Sequence, residues 1–473
     1  VRRPSRVAAL VFFGGPGVLA AATARAEEPP VTVAVAPVGD PVAFADGIDG
    51  RSLVASKTGR LAYVAKRGEK VVVVLEGKPL PREWTKVEAL VPSADGTRFA
   101  WWAQDGAAWF VVTESATYEA KGAPASLRDG GLVLSADGAH VAFAVRRGDS
   151  VVVVHDGKEG PASPASSAFD IAMSASGARV AYPAVSGEGG RQRRVVLDHR
   201  PLEAEHDAVG SLVFSPDGKR FAYVGEDGGR RSVVVDGKVG PAHDDVRDLA
   251  FTGDGRVVHV VRGEEGEAVV VEGEEGPRYP TVLSLVPAPV GSKVAYAARK
   301  VFRGANDQVC VVVVDGKPGA DVGPVPRVVW SDDGTTVAYV TRKKVGMSVV
   351  VVGTAAGLEI DAVMAGTLVL SRDGRRVAYV VRDGRRYRSV VDHVSWEAAD
   401  LVQGLAFSPD GFAYALEQTK SGPRLVVEGV ATAVEGGVLG APVPAGPGVF
   451  DLLVVRDAGG PKVQRLRATV TKR

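Results

Sequence analysis

Seven basic side chains fall in two short runs of this 473-residue chain: Arg342, Lys343 and Lys344, then Arg382, Arg385, Arg386 and Arg388. Guanidinium and ammonium groups grouped in this way hold carboxylates, phosphates or sulfates by charge and hydrogen bonding. They are the candidate binding residues. The seven histidines are scattered through the sequence. His206 (in Glu205-His206-Asp207) and His243 (in Ala242-His243-Asp244) hold similar places, and Tyr279, Trp84 and Trp396 fall at comparable points. A position that accepts His, Tyr or Trp is expected to pack or hydrogen-bond rather than ligate, so no metal site is assigned. Repeated Ser/Thr-x-Asp-Gly aspartates invite a calcium reading. A calcium loop gathers several oxygens in one turn, whereas these offer one or two, and turn capping is the better account.

No catalytic constellation emerges. There is no Gly-x-Ser-x-Gly elbow, no His-Glu-x-x-His, no Gly-Lys-Ser/Thr phosphate loop and no paired-cysteine zinc pattern. The chain is therefore read as non-enzymatic and without cofactor. Cys310, the single cysteine, excludes an intrachain disulfide and is expected to be a buried thiol within Val309-Cys310-Val311. Arg147-Gly148-Asp149-Ser150 falls where a charged hairpin tip belongs.

The basic runs need elements to position them, and an internal repeat supplies these. A short apolar strand (a) leads into Ser/Thr-x-Asp-Gly, intact at seven places: Ser93, Ser135, Ser215, Thr252, Ser331, Ser371 and Ser408 begin them. Degenerate copies lie at Ser56 to Gly59, Ser174 to Gly177 and around Gly291. The ten glycines from Gly59 to Gly411 recur every 36 to 43 residues, close to one four-stranded propeller blade. Asp-Gly supplies an acceptor and a residue that tolerates positive φ, as a tight turn needs. An apolar-Ala-aromatic strand (b) follows, as in Phe221-Ala222-Tyr223 and Val377-Ala378-Tyr379. With a period of two, large residues share one face and Ala the other. A Val-rich strand (c) then runs to a second turn, as in Val233 to Gly237, and a less regular strand (d) closes the unit. His259 stands where other units place the strand-b aromatic and is expected in the core. The fold class is all-β: a β-propeller of about ten four-stranded units, in two rings of five to six blades divided near Pro277 to Gly291, or in one unusually large ring. Val31 to Val35 and Val449 to Val455 are candidates for the strands that close it.

Phe214-Ser215-Pro216-Asp217-Gly218-Lys219-Arg220-Phe221-Ala222-Tyr223, with Phe407-Ser408-Pro409-Asp410-Gly411, resembles the repeat of TolB-like and related bacterial WD-repeat-like propellers. The resemblance spans about residues 50 to 430. It implies a propeller; scaffolds, envelope proteins and non-catalytic domains of peptidases share this repeat.

The 57 basic and 56 acidic residues balance, which argues against a dedicated nucleic-acid binder. Arg2, Arg3 and Arg6, an uncharged run from Val7 to Ala22, and Ala24-Arg25-Ala26 read as a secretory signal cleaved after Ala26. Residues 27–473 are then the propeller region, with no transmembrane segment left, in the periplasm or secreted. In an antiparallel unit the a–b and c–d turns share one end, while b–c and d–a connections share the other. The b–c hairpins vary in length and sequence and are rich in Arg and Lys, most so in units 8 and 9. The expected function is a non-catalytic scaffold that binds a protein or an anionic envelope component through those loops. The alternative is a propeller enzyme (lyase, lactonase or hydrolase) with its site at the central channel.

Overall fold

The computed structural model describes residues 31–472, apart from 44–51, 59, 127–130, 165–169, 187–189, 303–307, 326, 345–346, 362 and 457–461. The expected leader, residues 1–26, lies outside the described residues. Strands dominate, and they assemble into eleven antiparallel sheets. Ten follow one another along the chain: sheet 1 (54–84), 2 (86–119), 3 (123–164), 4 (172–206), 5 (208–243), 6 (245–275), 7 (281–322), 8 (327–361), 9 (363–395) and 10 (401–433). These are the ten repeats, each a meander of strands a to d.

The eleventh sheet carries no Ser-x-Asp-Gly turn and was only partly legible. Gly437–Gly446, Val449–Arg456 and Lys462–Lys472 form its first three strands, and Val31–Ala43 supplies the fourth. Val31 pairs with Lys472 and Ala43 with Lys462. The two ends of the described chain thus share one sheet.

Eleven apolar clusters hold the sheets together, each drawn from two consecutive sheets. Ala222 of sheet 5 faces Phe251 and Val257 of sheet 6, while Phe221 and Tyr223 face Ala181 and Val195 of sheet 4. Large residues turned backward and Ala turned forward let sheets approach closely. The last cluster joins Leu61 and Tyr63 of sheet 1 to Leu453 and Val463 of sheet 11. The contacts run once through all eleven sheets before returning to the first. Two rings would need sheet 1 against sheet 5 or 6, and none of the clusters makes that contact. Pro277 to Gly291 is no break either, because Tyr279 and Val282 pack with Val260 and Val294 across sheets 6 and 7. One ring of eleven blades is the arrangement these contacts describe. Consecutive strands a lie beside one another and line the inside.

The repeat motif works as a clasp. In all seven intact copies the buried hydroxyl donates to the aspartate Oδ1, at 2.5–2.7 Å. The hydroxyl oxygen in turn accepts the backbone N–H four or five residues on, as Ser215 does from Arg220 and Ser371 from Arg376. The Ser215 hydroxyl in this way draws the Asp217 carboxyl down to about 2. Across the sheet, the c–d turn acid accepts the first amide of strand b: Asp236 from Phe221 at 2.9 Å, Asp392 from Val377 at 3.0 Å and Glu428 from Ala413 at 2.7 Å.

An arginine before strand b then reaches into the next sheet. Arg376 contacts Asp392 of its own sheet at 2.7 Å, and Gly411 O (2.8 Å) and Glu428 (2.7 Å) of sheet 10. Its guanidinium lies 5.4 Å from the Phe407 ring centroid. Arg220 repeats this with Asp236, Gly255 O, Glu272 and Phe251, and Arg60 with Glu114 and Phe99. Arg465 of sheet 11 pairs with Glu76 of sheet 1 where the ring closes.

Neighbouring turns also nest. Gly374 has φ +66°, and a Cβ there would lie 2.4 Å from the Thr336 Cβ of sheet 8. Gly411 has φ +88° with open space around it. Gly374→Ala and Gly411→Ala both carry the left-handed penalty of about 1–2 kcal/mol, but only the first also pushes two sheets apart. In chemical denaturation Gly374→Ala is expected to lose clearly more stability than Gly411→Ala; equal midpoint shifts contradict the nesting.

Candidate functional site

The basic runs occupy b–c hairpins of consecutive sheets. In sheet 8 strand b is Val337–Lys344 and strand c is Met347–Val352; in sheet 9 they are Val377–Asp383 and Arg386–Val391. Asp383 pairs with Arg386 across the sheet 9 hairpin, and Gly384 takes φ +63° at its tip. Arg342, Arg382, Arg385 and Arg386 are exposed, and Arg388 is half-buried. The side chains of Lys343 and Lys344 lie outside the described residues.

The arginines are not equivalent. Arg388 Nε donates to Asp383 Oδ2 at 2.7 Å, inside its own hairpin. Arg386 Nε lies 3.5 Å from Asp400 Oδ1, and its guanidinium also donates to the Ala398 carbonyl. Arg382 Nε donates to Gly384 O at 3.1 Å. The Arg342 and Arg385 side chains have no hydrogen bond or ion pair among the described residues. Elsewhere on the same end several basic residues are matched to acids, Arg67 with Glu83, Arg147 with Glu159, Arg231 with Glu226 and Asp245, Arg262 with Glu267, Arg424 with Glu417, while Lys66, Arg146 and Lys420 are exposed. The Arg147 tripeptide belongs to this set, since both guanidinium ends bind Glu159 at 2.8 Å.

Inside the ring, a cavity of about 460 Å³ lies along the strands a and a–b turns of sheets 2 to 6. Ala94, Ala136, Met173, Phe214 and Leu249 are among its lining residues, and none of the lining is titratable. On the inner strands Arg247 pairs with Asp248 and with the buried Glu267, and Lys86 pairs with Glu88.

Two of the histidines, His206 and His259, are buried as their positions suggested. His206 is buried, with Nδ1 2.7 Å from Asp227 Oδ2 and Nε2 3.4 Å from Tyr223 Oη of the next sheet. Tyr279 meets Tyr296 edge-on at 6.2 Å, and Trp84 and Trp396 are buried in their seams. His259 is buried on strand b of sheet 6, and burial, reinforced by His243, lowers its pKa to about 4. Cys310 is buried, which raises its thiol pKa.

The other grouping is one that linear reading missed. His140 and His155 of sheet 3 and His199 of sheet 4 come together at the a–b and c–d turn end, with ring centroids 6.4 and 6.1 Å apart in succession. Asp156 lies among them. The signal was present but needed the repeats to be laid over one another: each histidine replaces a different residue type.

No protein-family model and no curated protein matches this chain. Among solved structures it is similar to a eukaryotic initiation factor (12% identity over 69% of this chain and 92% of that one, TM-score 0.41). It is similar also to the β-propeller domain of the trilobed protease from Pyrococcus furiosus (13%, 54% and 93%, TM-score 0.29) and to the Dos1 propeller (11%, 62% and 91%, TM-score 0.32). At these identities and scores the likenesses do not bear on what this chain does.

The buried imidazole sets a pH dependence. His259 is neutral in the fold down to about pH 4, whereas an unfolded histidine protonates near 6.5. The unfolded chain therefore binds more protons between these values, and stability falls as pH drops from 6.5 toward 4, by up to about 3 kcal/mol. His259→Phe removes that term. Thermal unfolding from pH 7 to 4.5 is expected to show a shallower decline for the variant; parallel curves mean the imidazole is not buried neutral.

Proposed function

We propose that this protein is an exported, non-catalytic scaffold that binds a protein or an anionic envelope component through its b–c and d–a loops. One observation carries the reading. The basic residues described above as matched to acids elsewhere on that end are neutralised within the molecule, while Arg342 and Arg385, on adjacent sheets, face solvent with their charge unspent. Unpaired guanidinium groups on hairpins of neighbouring sheets suit carboxylate or phosphate recognition. Kinship with TolB-like propellers rests on the Ser-Pro-Asp-Gly repeats at Ser215 and Ser408. Export rests on the basic, apolar and Ala-x-Ala order of residues 1–26.

Exposed charges are screened over about 8 Å at physiological salt, so binding must weaken as salt rises. The experiment compares the mature chain with an Arg342→Glu/Arg385→Glu variant for retention on immobilised envelope extract at low and high salt. The variant is expected to bind several-fold more weakly at low salt, to converge with the wild type at high salt, and to keep its unfolding temperature, as for exposed positions. Equal retention of both proteins at low salt removes this sector as the binding face.

Export has its own check. N-terminal sequencing of the protein recovered outside the cytoplasm is expected to begin at Glu27; a recovered chain that retains Arg2 contradicts it.

A further inference from the structure

Ten sheets share one design, so a departure from it stands out. The residue before strand b is Arg in six of them: Arg60, Arg98, Arg179, Arg220, Arg256 and Arg376. In sheet 3 it is His140. The last residue of strand c is aliphatic in eight sheets and Thr113 in sheet 2. In sheet 3 it is His155. Both departures are histidines, both are in one sheet, and the fold places them on either side of the turn acid Asp156.

One ring nitrogen each of His140 and His155 and a carboxylate oxygen of Asp156 all lie within 4.8 Å of one another. Asp156 Oδ2 is 2.6 Å from His140 Nδ1 and 3.6 Å from His155 Nε2. Its other oxygen, Oδ1, accepts the Val141 amide at 2.9 Å, which fixes the carboxylate and leaves Oδ2 to turn toward the imidazoles. His155 Nε2 also lies 2.8 Å from the Gly177 carbonyl of sheet 4. The wall on that side is His199, whose Nε2 is buried without a hydrogen-bond partner. Gly177 and Gly160 keep it open to the rings: a Cβ on Gly177 would meet His140 at 2.5 Å, and one on Gly160 would meet His199 Nδ1 at 2.6 Å.

An ion pair of the kind that Arg220 makes with Asp236 accounts for His140 but not for His155. The left-handed turn position of His199 recurs as His393 in sheet 9, but there the preceding sheet has Thr336 and Val352 at the places of His140 and His155. Only at the seam of sheets 3 and 4 do the three coincide.

We propose that His140 Nδ1, His155 Nε2 and Asp156 Oδ2 form a binding site for a divalent transition metal, Zn²⁺ foremost, at this seam. Zinc bonds of about 2.0–2.2 Å put tetrahedral ligand atoms roughly 3.4 Å apart. The His155–Asp156 separation is near that already. His140, half-exposed on the turn, must swing outward by less than about 1 Å to match it, and His155 must release the Gly177 carbonyl to offer its lone pair. Two imidazoles and one carboxylate select Zn²⁺, Ni²⁺ or Cu²⁺ over Mg²⁺ or Ca²⁺. The fourth position, toward sheet 4, is left for water. A metal there binds the native turn pair and not the unfolded chain, so it stabilises the fold by mass action.

The repeat itself supplies variants that should fold, because His140→Arg and His155→Val restore what other sheets carry at these positions. The full mature chain, stripped with EDTA and dialysed, is titrated with Zn²⁺ by calorimetry, and its unfolding temperature is measured with and without the metal. The wild type is expected to bind one Zn²⁺ at this site, with a higher unfolding temperature, and to ignore Mg²⁺. The double variant is expected to lose at least about tenfold in affinity, and the thermal shift with it, at an unchanged unfolding temperature in EDTA. Absence of saturable Zn²⁺ binding by the wild type overturns the proposal. So does undiminished binding by the double variant, which would place the metal elsewhere.

Discussion

Each sheet of this chain has two apolar faces, and neither can be hidden within the sheet. Everything else depends on burying both. A single sheet of this kind is not a stable unit; it needs a neighbour before it and one behind it. In most sheets alanine on the forward face and Phe, Tyr or Val on the backward face make the two surfaces complementary, every seam is apolar, and the series ends only when the last sheet meets the first. Leu61 and Tyr63 against Leu453 and Val463 close it by apolar contact, with Leu and Val where Ala181 stands against Phe221 and Tyr223 in the middle.

Apolar packing alone leaves neighbouring sheets free to slide. The polar clasp at one end limits that. A buried hydroxyl ties its aspartate, the turn acid ties the first amide of strand b, and an arginine carries the connection into the next sheet. Arg376 engages two carboxylates and a carbonyl at once, a geometry suited to a planar guanidinium. With one end so committed to structure, sequence variation collects at the other, where the b–c hairpins differ from sheet to sheet. His140 and His155 are a variation placed in the clasp itself.

Much of this was legible in the sequence because it is local. The Ser-x-Asp-Gly turns, the Ala-aromatic alternation and the Val-rich third strand each declare a hairpin within a dozen residues. Ten sheets, the exposure of Arg342 and Arg385, and the burial of Cys310 and His259 followed from that. What stayed hidden is what joins distant segments. The eleventh sheet has no turn signature: Val31 to Val35 and Val449 to Val455 were legible as closing strands, but not Gly437–Gly446, Lys462–Lys472 or the pairing of Val31 with Lys472. The arginine staples look like ordinary charged residues until the next sheet is in place. Arg386 and Arg388 read as free charges, yet Asp400 and Asp383 lie against them. The histidine grouping spans His140 to His199 and emerges only when two sheets are side by side.

The shared last sheet also fixes an order of events. Synthesis delivers Val31–Ala43 before Lys462–Lys472, so the earlier strand has no partner in its sheet until the later one exists. Meanwhile ten sheets can form and stack from local contacts alone, as an open arc with an apolar face bare at each tip. That arc is the species most open to mispairing, since an unmatched edge templates association with other chains. Closing the ring therefore needs one pairing of very long sequence separation, the kind of contact that costs most loop entropy, and without Lys462–Lys472 the arc has no partner for Val31–Ala43.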